Sequence, residues 1–368
     1  MSTLHRRQFV KLASSGLLIA SAVPVSSALA LPRPSKDKVG VALLGLGNYS
    51  TRLLAPALQA TRHCELRGII TGSPEKIPEW QSKYGIPDKN TYTYGTMNDI
   101  ANNDDIDVIY VVTPTGTHKD FSVMAANTGK HVWCEKPFAM DEAECQAVID
   151  ACSRNKVMLS IGYRMQHEPN TRHFAEYHLR QPFGAFTGFE SYAGYAGSGR
   201  EASNWRMQKA MGGGALYDMG VYAINGTRFI SGKEPVAVSG YHEKSHPDIF
   251  KEVDETTIFT MEFADGTRAD CGASVVRGFN YFKANCKEGW YQLKPMQSYS
   301  GVTGTASNGE TLPAISAMQQ TLQMDNDAKA ILGTGPALVT ARDALRDVKI
   351  INAIFKSAKT GERILLDQ

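Results

Sequence analysis

Cysteine is sparse and unpatterned in this chain, with six among 368 residues: Cys64, Cys134, Cys145, Cys152, Cys271 and Cys286. No two form a CxxC pair and none stands at zinc-ligand spacing, so neither a metal site nor a disulfide framework is expected. Neither sign of charge is in excess. Three of the 39 basic residues, and none of the 37 acidic ones, lie in the first thirty positions, so the remainder is close to neutral. That balance points away from nucleic acid and from an anionic membrane surface as partners. Beyond the first thirty residues no apolar run approaches the ~20 residues that a membrane helix needs. Internal repeats and low-complexity tracts are absent too. What remains is the composition of a globular protein, 42% apolar and 21% charged. The length suits two domains.

The first thirty residues read as targeting rather than fold. Arg6-Arg7 is followed by Phe9 and Lys11, then by an apolar run from Leu12 to Val23 and a small-x-small site at Ala28-Leu29-Ala30. This pattern predicts a twin-arginine (Tat) signal over residues 1–30, cleaved near Ala30. An uncleaved anchor is the competing reading, but Ser14, Ser15, Gly16 and Ser21 interrupt the run. The expectation is a periplasmic protein that meets the Tat export machinery already folded. Its thiols, folded in a reducing compartment, are then expected to be free and buried.

From Val39 onward, short apolar strands alternate with helical patterns. Strands are expected at Val39–Leu44, Leu66–Ile70, Val108–Val112, His131–Cys134 and Val157–Ile161, with helices at Glu75–Tyr84, Lys119–Asn127 and Asp141–Ser153. Strands apolar on both faces imply a parallel sheet covered by helices on both sides. After Gly162 the pattern changes. Phe186–Ala193, Val236–Tyr241, Thr256–Phe263 and Arg268–Val276 are longer and more alternating, and Asp265-Gly266 marks a hairpin. The fold class is therefore α/β joined to α+β. A Rossmann dinucleotide-binding domain (31–160) precedes a domain (161–368) built on a large, mainly antiparallel, open-faced sheet. The open face is expected to make a homodimer or homotetramer. Helices are expected at Gly213–Ile230 and Ala337–Ala358, the second packing back on the first domain. Gly301–Gly309 reads as an exposed loop.

The turn after the first strand is Gly45-x-Gly47, followed by Asn48, Tyr49 and Ser50 in place of a third glycine. The first glycine suits a tight turn and the second a close approach of pyrophosphate to the helix start. The second strand ends in Thr71-Gly72-Ser73-Pro74-Glu75-Lys76, without the acidic residue usual for NAD at that tip. Ser73 and Lys76 would suit the 2′-phosphate of NADP. Thr113, Pro114 and His118 border the same crevice and are further expected cofactor contacts.

Strand His131–Cys134 runs into Glu135-Lys136-Pro137, which places a lysine at the carboxyl end of a parallel strand. Gly212-Gly213-Gly214 opens a helix in which Asp218 and Tyr222 stand four apart, on one face. A lysine, a carboxylate and a phenol facing one crevice would make a hydride-transfer site.

Several segments resemble the glucose–fructose oxidoreductase/inositol dehydrogenase family, and within it the glucose–fructose oxidoreductase branch. They are Gly45-Leu46-Gly47, Cys134-Glu135-Lys136-Pro137, Ile161-Gly162-Tyr163-Arg164, Trp205-Arg206 and Gly212 through Arg228. Many members of the family carry histidine where this chain has Tyr222. The resemblance implies sugar or polyol substrates and NADP held tightly through turnover. It implies that Tyr222 removes the C1 hydroxyl proton of an aldose, with Lys136 orienting the sugar and Asp218 bonding to it. Tyr163 would line the substrate pocket. Glu135, Arg164, Trp205 and Arg206 would contact the cofactor. A long N-terminal arm clamps the cofactor in the family's periplasmic member. Only a short segment from Leu31 precedes the first strand here, which favours the dimer. An exported enzyme without a nucleotide pool must reoxidise its cofactor in place, which points to ping-pong sugar–sugar exchange. The alternatives are a conventional NADP-dependent aldose or anhydro-sugar dehydrogenase and a non-catalytic periplasmic sugar-binding protein. A glycoside hydrolase using bound NAD ranks below both.

Overall fold

The computed structural model describes residues 37–197 and 203–367. The expected signal segment, with Arg6-Arg7 and Ala30, lies outside the described residues. Strands β1 (Val39–Leu44), β2 (Cys64–Thr71), β3 (Thr91–Thr93), β4 (Val108–Val111), β5 (His131–Cys134) and β6 (Leu159–Ile161) form one parallel sheet in the order β3-β2-β1-β4-β5-β6. Every side chain of β1 and β4 is buried, as strands covered on both faces require. The strand order reverses between β1 and β4. Crevices outside the carboxyl ends of such strands are where ligands bind.

The second sheet has nine strands. They are β7 (Phe186–Gly194), β8 (Pro235–Glu243), β9 (Thr256–Phe263), β10 (Arg268–Ser274), β11 (Asn280–Cys286), β12 (Gly289–Leu293), β13 (Gly304–Ala306), β14 (Thr311–Leu312) and β15 (Ile364–Leu365). The order is β14-β13-β12-β11-β7-β10-β9-β8-β15, antiparallel except where β7 and β10 run parallel. Asp265-Gly266 makes the β9–β10 turn, with Gly266 at φ +83°. Helix Val221–Ser231 lies against β7, β10 and β11 on one face. The other face carries Tyr192 stacked on Tyr281 at 5.3 Å, and the exposed Tyr241 at β8. All six cysteines are free thiols, five of them buried.

Three features depart from the sequence reading. The expected loop Gly301–Gly309 contains β13, paired with β12, and buries Val302, Gly304 and Ala306. A helix outside the expected elements, Gln319–Ile331, packs against the first sheet's side of the molecule. Its inward face mixes polar Gln319, Gln320, Gln323 and Asp327 with apolar Met324, Ala328 and Ile331. The closing helix begins at Ala341 rather than Ala337. It runs along β8 and also touches helix Glu142–Arg154.

Asp327 accepts from Ser160 Oγ at 2.8 Å. Burial lifts its carboxyl to about 7, against the pull of the Ser160 and Gln323 hydrogen bonds. The folded chain thus keeps a proton that the unfolded chain releases near pH 4. The resulting stabilisation is complete below that pH and is lost as pH rises through 7. Asp327→Asn, a permanently neutral amide, is expected to melt like the parent at pH 4. At pH 8 it should melt several degrees higher, a gain on the order of 3–4 kcal/mol. Equal melting at both pH values would show that the carboxyl titrates normally.

Candidate active site

The floor of the site is the turn after β1. Gly45 adopts φ +96°, and a Cβ there would come 2.6 Å from the Val112 carbonyl oxygen. Only glycine fits so close to the β4 tip. Ser50, where a third glycine was the pattern, is buried and donates its hydroxyl to the Gly45 carbonyl at 2.5 Å. The serine therefore closes the turn on itself. It also begins a wide π-helical turn, Ser50–Leu54, of the kind that recurs at functional sites. At Gly47 a Cβ would meet no protein atom within 4 Å. Lys76 Nζ reaches across from the end of β2 and donates to the Leu46 carbonyl at 3.1 Å. Asn48 is exposed beside the turn, and Ser73 is half-buried beyond β2.

The reacting groups stand at the end of β5. Lys136 Nζ donates to the Asp218 main-chain carbonyl at 3.0 Å and lies 4.3 Å from the centre of the Tyr222 ring. Asp218 belongs to a second wide turn, Leu216–Gly220, and Tyr222 to the α-helix that continues it, Val221–Ser231. The glycines before that turn let main chain pass close to its neighbours. Gly214 has φ +101°, and a Cβ there would strike Asp254 Oδ1 at 2.1 Å. Asp254 Oδ2 accepts from Leu216 N at 2.8 Å, which anchors the helix start.

The Asp218 carboxylate accepts from Tyr195 Oη at 3.0 Å and Arg206 Nε at 3.2 Å. Burial would raise it, but Arg206, Lys136 and the Tyr195 hydrogen bond outweigh burial and hold it below its ordinary value. Burial also opposes the Lys136 charge. Tyr222, Asp218 and Glu135 outweigh that and hold the ammonium above its ordinary value. The site therefore keeps a carboxylate and an ammonium, both charged, beside the phenol.

The structure brings Lys136, Asp218 and Tyr222 together, and it assigns other work to several expected ligand contacts. Glu135 lies beneath the crevice, accepting from Tyr110 Oη at 2.6 Å and from the Lys136 amide at 3.2 Å. Burial raises its carboxyl, with Tyr110 and Lys136 offsetting part of the rise. His118 is enclosed, its ring nitrogens 2.9 Å from the Pro137 carbonyl and 2.8 Å from the Thr113 carbonyl. It braces the Lys136-Pro137 turn and has no nitrogen left for a cofactor. Tyr163 is fully buried and faces Asp347, so it cannot line a substrate pocket. Arg206 is spent on Asp218 and stacks on Trp205 at 4.4 Å. Arg164 is buried and donates to Tyr222 Oη at 3.1 Å. Thr113 and Pro114 are half-buried beside Gly45. Tyr49 accepts from Gln320 at 3.2 Å and stands 6.2 Å from the Tyr299 ring. Tyr195, Tyr299 and Gln319 belong to the site but escaped the sequence reading.

Residues 39–163 match an oxidoreductase family with an NAD-binding Rossmann fold, and residues 180–292 match the GFO/IDH/MocA C-terminal domain. The chain belongs to the GFO/IDH/MocA oxidoreductase family. An aldose–aldose oxidoreductase of Caulobacter crescentus, solved with glycerol, is 32% identical with a TM-score of 0.85. That likeness covers 89% of this chain and 100% of that one. The D-xylose 1-dehydrogenase [NADP(+)] of Haloarcula marismortui is 24% identical over 342 residues, 90% of this chain and 94% of that protein. A scyllo-inositol dehydrogenase of Lactobacillus casei, solved with NAD(H) and scyllo-inositol, shares the fold. It has 19% identity and a TM-score of 0.74, over 89% of this chain and 99% of that one.

A GFO/IDH/MocA protein uses a nicotinamide dinucleotide, and the residues here fit one. The open ground over Gly47 lies at a helix start beside Lys76, where backbone N–H groups and a cation suit pyrophosphate. At the tip of β2 the half-buried Ser73 precedes the exposed Glu75, while the buried Thr71 hydroxyl is engaged with the Ser73 main chain.

Proposed function

We propose that this oxidoreductase acts on sugars, with NADP held tightly through a ping-pong cycle. It oxidises an aldose at C1 to the lactone and then reduces a second sugar, a ketose or another aldose. The observation that carries the reading is the meeting of Tyr222 with Lys136 and Asp218 at the carboxyl end of β5. The likeness to an aldose–aldose oxidoreductase and to an NADP-dependent xylose dehydrogenase supports the substrate class and cofactor. The chemistry a nicotinamide supplies when bound is reversible hydride transfer. Tyr222 Oη takes the C1 hydroxyl proton in the first half-cycle and returns it to the second sugar in the other. Lys136 holds positive charge against the ring while the proton is away. The Asp218 carboxylate accepts hydrogen bonds from sugar hydroxyls. Arg6-Arg7 supports export of the folded, loaded enzyme to the periplasm. The aromatic open face with Tyr192, Tyr281 and Tyr241 supports a homodimer or homotetramer.

The test is the absorbance of the purified chain with no nucleotide added. A reduced-nicotinamide band should appear with an aldose and vanish with a second sugar. A band only after NADP is supplied would replace the cycle with a conventional dehydrogenase. No band under either condition would favour a sugar-binding protein.

A further inference from the structure

The chain contains two buried arginines that contrast sharply. Arg228 is 4% exposed and faces three carboxylates: Asp347, Asp343 and Glu234. That is the arrangement expected when a buried guanidinium serves the fold, because its charge is compensated on the spot. Arg164 is 1% exposed and forms no ion pair among the described residues. Its acceptors are neutral: the Ser298 carbonyl at 2.8 Å, Gln319 Oε1 at 2.5 Å, Gln297 Oε1 at 2.8 Å and Tyr222 Oη at 3.1 Å. A buried cation with no carboxylate in contact costs stability, and the pull of Tyr222, Tyr49, Tyr299 and Glu135 outweighs burial and keeps it charged. Three neutral clamps from two segments hold it against one oxygen, that of Tyr222.

The direction of that bond matters. A guanidinium has donors only, so Tyr222 Oη accepts and its own O–H must point elsewhere. Lys136 lies over the ring at 4.3 Å, so the ring and the oxygen each have a cation. The other titratable groups facing this cluster are Asp218 on the same helix, Glu135 before Lys136, Tyr49 from the phosphate turn and Tyr299 from the loop after β12. The Asp218 carboxylate is paired with Arg206 at 3.2 Å. When Tyr222 gives up its proton, Arg164 is thus a cation in direct contact with the resulting charge.

We propose that Arg164 is a positioning residue for proton transfer. Clamped by Gln297, Ser298 and Gln319, it fixes Tyr222 Oη as an acceptor and compensates that oxygen while its proton is on the sugar side. The proposal rests on the reading of Tyr222 as the base.

The experiment uses the full chain loaded with NADP and an aldose such as xylose or glucose. Arg164→Gln is expected to lower kcat by about 100-fold while KM and cofactor content stay within about threefold. Arg164→Lys should fall between. Millimolar guanidinium ion should restore at least about tenfold of the activity lost in Arg164→Ala, which loss of a purely structural residue would not allow. Because these variants alter a buried site, Gln319→Leu is measured beside them. It keeps the charge but loosens the clamp, so kcat should fall about tenfold and the solvent isotope effect rise. Unchanged kcat in Arg164→Gln, or loss of bound NADP in place of kcat, would overturn the role. An unchanged Gln319→Leu with no guanidinium rescue would do the same. A parent chain that turns over no sugar would instead overturn the reaction itself.

Discussion

Tyr222→Phe is expected to lose about 10³-fold in kcat and to keep its cofactor. The substitution removes one oxygen and leaves the ring. Tyr222 is 6% exposed, so the buried volume is kept, as is the Lys136 contact with the ring face at 4.3 Å. Arg164 loses one of four acceptors and retains Ser298, Gln297 and Gln319. Such a loss costs on the order of 1–2 kcal/mol of stability and a few degrees in melting temperature. Turnover and stability therefore separate widely in one variant. Steady-state kinetics and a thermal melt on the same sample check it. A kcat within threefold of the parent would mean that the proton leaves by another group.

The second large effect is a contrast between two neighbouring glycines. Gly45→Val forces a β-branched residue to φ +96° and drives its Cβ against the Val112 carbonyl and Thr113. The clash pushes the β1 tip away from β4 at the point where strand order reverses. Loss of stability by several kcal/mol and loss of NADP binding are expected together. At Gly47 the added side chain meets no protein atom within 4 Å. Gly47→Val is therefore expected to melt within a few degrees of the parent and yet bind NADP about 100-fold more weakly. Calorimetric titration with NADP and thermal melts distinguish the two. Undiminished binding in Gly47→Val would place the pyrophosphate elsewhere.

The residues that could be read from sequence are those whose local pattern already states a constraint. Gly45 and Gly47 follow a buried strand, Lys136 ends one, and Tyr222 follows a glycine run that only close main-chain packing explains. For Arg164, His118 and Tyr163 the sequence points to the right region and not to the protein groups they contact. Sequence spacing says that a residue follows a strand and does not say which way it turns. Helix Gln319–Ile331 was invisible for a different reason. Its inward face sets three glutamines and an aspartate among Met324, Ala328 and Ile331, so the apolar period that reveals a buried helix is short and diluted. Tyr195 and Tyr299 are single aromatic residues at a strand end and in a loop, and only the nine-stranded sheet brings them to the crevice.

The clamp on Arg164 also ties the end of the chain to its first half. Every strand of the parallel sheet, with its phosphate turn and Lys136, has left the ribosome by Ile161. Tyr222 follows about sixty residues later. Gln297, Ser298 and Gln319, which hold Arg164 against it, come near the end of the chain. Helix Gln319–Ile331, which packs on the phosphate-turn side and bonds Tyr49 through Gln320, arrives with them, so the nucleotide cradle and the clamp are completed together. The last part of the chain to be made serves both the hold on a cofactor and its reaction.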